Sequence, residues 1–160
     1  MVDTQDAVMT LPEQKPIAQP QRQPAPSYTS PTHSVLVVDD QPYVRDMLRR
    51  CLEKQGFEVW LAGSGWEALE IYQHHWDEFA AVLLDVRMPG LDGPQTLRCM
   101  YHINPKVRAC FMSGGTGDYV EAQLLNEGAL RVFWKPFHLD EVVGVLRQIA
   151  SNSFAAVRPA

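Results

Sequence analysis

Long hydrophobic runs are missing from this chain: nothing in it approaches the roughly 18 consecutive apolar residues of a membrane-spanning helix. The first residues have neither the basic n-region nor the apolar h-region of a secretory signal, so a cytoplasmic location is expected. Cysteine is scarce. Cys51, Cys99 and Cys110 are odd in number and widely spaced, which suits neither a disulfide framework nor a zinc site and fits reduced thiols. Cations are in the minority, 14 Lys and Arg against 19 Asp and Glu, for a formal net charge of −5. That balance argues against a nucleic-acid surface, which needs clustered Lys and Arg. Histidine offers no metal spacing: His74 and His75 are helix neighbours that face different ways, while His33, His102 and His138 have no partner. What remains is 160 residues at 46% apolar and 21% charged, enough for one domain with its own core.

Residues 1–33 stand apart from the rest. Pro12, Pro16, Pro20, Pro24, Pro26 and Pro31 fall there with five glutamines and few large apolar residues. Such a segment buries too little surface to offset its ordering entropy, and a disordered tail is expected. From Ser34 short apolar runs alternate with helical periodicity. Strands are expected at Val35–Val38, Phe57–Leu61, Ala80–Leu84, Val107–Met112 and Leu130–Trp134. Pro42 suits a helix first turn, and Val44, Met47, Leu48, Cys51 and Leu52 recur at helical spacing up to the stop at Gly56. Trp66, Leu69, Tyr72, Gln73 and Trp76 trace a second helix, its aromatic residues expected in the core. Gly93–Ile103 reads as a third, the loop Ser113–Asp118 opens a fourth, and Leu139, Val142, Val143, Leu146 and Ile149 mark a fifth. The ordered part is thus expected to span 34–151, with a short tail over 152–160.

Alternating strands and helices imply right-handed βαβ units, hence an α/β fold: a doubly wound parallel sheet covered on both faces. Ligands of such sheets bind beyond the carboxyl ends of the strands. Those ends carry Asp39 and Asp40, Asp85, Ser113 and Lys135. Three carboxylates brought together repel, each pair at ~4 Å by about 4 kcal/mol at an effective dielectric near 20. Such a site must hold a proton or a cation, and hard oxygen ligands without His or Cys favour Mg²⁺. Lys135 offers a point charge to a phosphate oxygen, and Ser113 a hydroxyl beside Gly114 and Gly115. Together they suit phosphoryl transfer to a carboxylate.

The motifs VVDD, LLDVRMPGLDG, FMSGG and FWKPF, in this order, resemble the receiver (CheY-like) domain of two-component response regulators. The resemblance covers about 34–151. It implies a flavodoxin-like, five-stranded sheet of order 2-1-3-4-5 with five helices. It implies that Asp85 accepts a phosphoryl group from a histidine kinase or histidine phosphotransfer protein. Asp40, Asp85 and the backbone carbonyl of Arg87 would hold Mg²⁺, with Asp39 acting through water. Ser113 would be the switch hydroxyl, Lys135 the phosphate-pairing residue, and the Lys135–Pro136 peptide cis. A phosphorylation-dependent homodimer is consistent with the same resemblance. Where the family commonly has a Tyr or Phe that reorients on activation, this chain has Val132, and Trp134 is the nearby aromatic residue.

Because the sequence ends soon after the fifth helix, a single-domain regulator is expected, one that acts by partner binding or onward phosphotransfer rather than as a turnover enzyme. Two other readings compete. A hydrolase of the haloacid dehalogenase type also uses Asp, Ser or Thr, Lys and Mg²⁺, but needs an Asp where Arg87 stands. A receiver-like interaction module that is never phosphorylated would usually have lost an acidic position or the lysine, and this chain has kept them all.

Overall fold

Val35, Leu36, Val37 and Val38 form an interior strand because such apolar, Val-rich runs fit a sheet buried on both faces. In this computed structural model, which describes residues 33–115 and 119–152, they lie in β1 (Ser34–Val38). The remaining elements are α1 (Pro42–Lys54), β2 (Glu58–Ala62), α2 (Gly65–His75), β3 (Phe79–Asp85), α3 (Gly93–Ile103), β4 (Ala109–Ser113), α4 (Glu121–Asn126), β5 (Arg131–Trp134) and α5 (Leu139–Ala150). All neighbouring strands are parallel and their order is β2-β1-β3-β4-β5, as expected. The expected tails, apart from His33 and Asn152, lie outside the described residues. Among the described residues no helix is long and apolar enough to cross a membrane.

The period-two alternation of the strands divides the core between two faces. Leu36, Val38, Val82, Leu84, Phe111 and Val132 point to one side, where Ala68 and Tyr72 of α2, Leu97 and Met100 of α3 and Leu124 of α4 cover them. Val35, Val37, Leu83, Met112 and Phe133 point to the other, against Val44, Leu48 and Leu52 of α1 and Val142, Leu146 and Ile149 of α5. Strand order reverses between β1 and β3, so the crevice that binds ligands in open sheets opens above their carboxyl ends.

Several element boundaries differ from expectation. Phe57 belongs to the turn, its N–H bonded back to Leu52 O, so β2 begins at Glu58. Val107 likewise donates to Asn104 O and stays outside β4. β5 begins at Arg131, one residue later than expected, although the Leu130 N–H already donates to Ala109 O at 2.8 Å. β3 and β4 run one residue further than their apolar runs and take in Asp85 and Ser113.

The aromatic residues of α2 need a larger correction. Tyr72 is buried, but Trp66 is 66% exposed and Trp76 43%. The inward face of α2 passes through Ala68 and Tyr72, four residues apart, and Trp66, two residues before Ala68, points elsewhere. Trp76 stands at the C-cap of the helix.

Candidate functional site

Val38 of β1 pairs with Leu84 of β3, so the next residue of each chain segment, Asp39 and Asp85, emerges at the same sheet end. Asp39 is fully buried. Its Oδ1 accepts the Gln41 N–H at 2.9 Å, its Oδ2 accepts from Lys135 Nζ at 2.7 Å, and its carbonyl accepts from Arg45 Nη1 at 2.6 Å. A carboxylate before a helix is most simply an N-cap. Here that reading fails: the N-cap of α1 is Gln41, and neither Asp39 nor Asp40 occupies the position.

Lys135 joins the pair by a second bond, Nζ to Asp85 Oδ1 at 2.7 Å. Its place is fixed by the sheet, since Ser113 pairs with Trp134 and the Lys135 N–H donates to Ser113 O at 2.7 Å. The Lys135–Pro136 peptide is cis. One oxygen from each of Asp39, Asp40 and Asp85 lies within 4.8 Å of the others. Among the described residues no side-chain hydrogen bond engages the Asp40 carboxylate, which lines an open cavity of about 520 Å³ with Arg87, Met88, Pro89, Asp92 and Tyr119.

Three carboxylates around one ammonium leave an excess of negative charge, and the titration of the groups reflects it. Burial pushes the Asp85 carboxyl above its usual range; Lys135 opposes this and the charges of Asp39 and Asp40 add to it. For Lys135 burial acts downward, but the bonds to Asp39 and Asp85 outweigh it and its ammonium is held above the ordinary range. A divalent cation among these oxygens would relieve the excess. The donor set, all oxygen and without His or Cys, fits Mg²⁺.

Ser113 ends β4, buried, with its Oγ accepting the Gly115 N–H at 3.3 Å. No hydrogen bond joins it to Asp85 among the described residues, although the sheet sets it at the same level, one residue beyond the Asp85–Met112 pair. Thus Asp39, Asp40, Asp85 and Lys135 are brought together, Arg87 lines the adjoining cavity, and Ser113 flanks them.

The turns that follow Asp85 have a steric purpose. Asp92 caps α3, its Oδ1 accepting the Gln95 N–H at 2.8 Å while Gln95 Oε1 accepts the Asp92 N–H. The helix then starts against the backbone of the acid itself: a Cβ on Gly93 would overlap the Asp85 carbonyl oxygen. Only glycine permits that approach.

Sequence reasoning missed Gln41 and Arg45, which fix Asp39, and Tyr119, whose Oη donates to Asp92 Oδ2 at 3.1 Å. The capping pattern Asp92-x-x-Gln95 was readable. Tyr119 carries no local signal, since only tertiary placement brings it to α3. Elsewhere, burial pushes the Cys110 thiol up to about 12, leaving it an inert core residue.

Comparison with known proteins agrees with this geometry. Residues 35–147 match the family model described as response regulator receiver domain. The chain is 35% identical to sporulation initiation phosphotransferase F of Bacillus subtilis over 112 residues, 68% of this chain and 86% of that protein. It is 31% identical to the chemotaxis protein CheY of the same organism over 117 residues, 72% and 96% of the respective chains. Among solved structures, a response regulator receiver domain protein from Clostridium thermocellum superposes with a TM-score of 0.72 at 25% identity, covering 76% of this chain and 96% of that one.

Proposed function

The chain belongs to the response regulator receiver family of two-component systems, and on that premise we propose that Asp85 is its phosphoacceptor. The observation that carries this reading is the Asp85 side chain itself. It is buried, one oxygen is held by Lys135 at 2.7 Å, and it shares its pocket with two further carboxylates.

Lys135 engages Oδ1, leaving Oδ2 as the nucleophile toward a phosphohistidine of a histidine kinase or histidine phosphotransfer protein. The new O–P bond forms as the donor's N–P bond breaks, and the imidazole leaves with the bond's electron pair. Lys135 then pairs with a phosphoryl oxygen, and the Ser113 hydroxyl, freed from Gly115, donates to another. Asp40, Asp85 and the carbonyl of Arg87 would hold Mg²⁺, with Asp39 acting through water. Bound there, the ion would supply charge to offset that of the phosphoryl oxygens. Asp40 suits direct ligation because it faces the cavity, whereas both oxygens of Asp39 already accept hydrogen bonds.

The resemblance to a sporulation phosphotransferase and to a chemotaxis protein supports signalling through protein partners, by binding or by onward transfer, and a cytoplasmic location goes with this reading. On this reading the protein accepts and loses one phosphoryl group and turns over no other substrate. Self-association on phosphorylation is one form the output can take. Incubation with Mg²⁺ and acetyl phosphate should add a single acid-stable, hydroxylamine-labile phosphoryl group. Omission of Mg²⁺ should abolish it; equal labelling with and without the metal would remove the carboxylate cluster from the mechanism.

A further inference from the structure

Tyr119 lies six residues after Ser113, yet its ring packs against the core shared by Phe111, Leu124 and Val132, on the side of α2, α3 and α4. Its Oη donates to Asp92 Oδ2 at 3.1 Å. The other oxygen of Asp92 accepts the Gln95 N–H and so starts α3. The next residue, Gly93, abuts the Asp85 carbonyl and donates its N–H to Val86 O at 3.1 Å. The phenol is therefore one hydrogen bond away from the helix start that rests on the acid. Burial, followed by the Asp92 charge, pushes the phenol above its usual range. Tyr119 and Asp92 also line the cavity that exposes Asp40 and Arg87.

We propose that Tyr119 is a positioning residue for the phosphoryl chemistry, holding the segment between Asp85 and Asp92 in place and thereby limiting how small phosphodonors and water approach Asp85. The proposal rests on the assignment of Asp85 as acceptor and adds a residue that sets the rates of gain and loss. The bond is the sole side-chain hydrogen bond of Tyr119 among the described residues, and it ties the chain beyond β4 to the chain beyond β3. Deleting it removes one tether from the segment between Asp85 and Asp92 without removing any carboxylate or the lysine.

Tyr119→Phe removes the hydroxyl and keeps the packed ring. Labelling by acetyl phosphate and spontaneous loss of the phosphoryl group should both accelerate, by about threefold to tenfold, the worth of one hydrogen bond. Mg²⁺ affinity should match the wild type and the melting temperature should fall by no more than the loss of that one bond, so faster rates on an intact fold and metal site are a combination that a merely structural role would not produce. Rates that are unchanged or slowed, with or without a lower melting temperature, overturn the proposal while leaving Asp85 as acceptor. A wild type that takes up no phosphoryl group removes the Asp85 assignment, and this inference with it.

Discussion

Lys135 Nζ stands 2.7 Å from Asp85 Oδ1 and equally close to Asp39 Oδ2, so a single ammonium holds two buried carboxylates. In metal-free protein Lys135→Met should cost roughly 3–5 kcal/mol at pH 7, because it strands both charges. The pH dependence has a definite sign. The folded ammonium titrates above its ordinary 10.5, so its stabilisation is complete below that pH and is lost as pH rises through the raised value. Urea unfolding of both proteins should therefore show the gap between wild type and variant shrinking above pH 10.5. A gap that widens there would reverse the assigned sign.

Asp85 has the opposite effect on metal-free stability. Its carboxyl is held above the ordinary 3.8, so its contribution is favourable below that pH and is lost as pH rises through the raised value. At pH 7 without metal, Asp85→Asn should therefore be more stable than wild type and melt at a higher temperature. Mg²⁺ should narrow the difference, since it stabilises the form that binds it better. Thermal melts in EDTA and in Mg²⁺ check both parts.

Asp40 and Asp39 should separate by measurement. Asp40→Asn removes the carboxylate that faces the cavity and should lower Mg²⁺ affinity by at least about tenfold. Asp39→Asn should lose less affinity and more stability, because its oxygens are already held by Gln41 and Lys135. Equal affinity losses would mean that both carboxylates ligate directly.

Much of this site could be read before the fold was seen. Asp85 and Lys135 each follow a short β-branched or aromatic run, and a parallel sheet carries such positions to one edge. Strand order was legible only through the resemblance to the receiver family, since alternating runs imply a parallel sheet without fixing the order of its strands. Trp66 and Trp76 were not: helical spacing alone does not say which stripe of α2 faces the sheet, and the inward positions went to Ala68 and Tyr72. Nor could the sequence indicate that Gln41 and Arg45 hold Asp39, or that Tyr119 reaches Asp92. Those bonds join residues through the packing of separate elements, and no periodicity encodes them.

Gly93 gives a steric prediction. A Cβ there would overlap the Asp85 carbonyl, so Gly93→Ala should cost about 1–3 kcal/mol and displace the acid. Labelling by acetyl phosphate should fall along with stability. Gly144→Ala, inside α5 with open space around it, should leave labelling unchanged and raise stability by about 0.5–1 kcal/mol.

The most direct test of the account is to locate the phosphoryl group. Protein labelled with acetyl phosphate and Mg²⁺ can be reduced with borohydride, which converts an acyl phosphate of aspartate to homoserine, and mapped by peptide mass spectrometry. Homoserine at position 85, and none in Asp85→Asn treated identically, is the expected result. Homoserine at position 39 or 40 instead, or undiminished labelling of Asp85→Asn, would contradict the assignment of Asp85 as the phosphoacceptor.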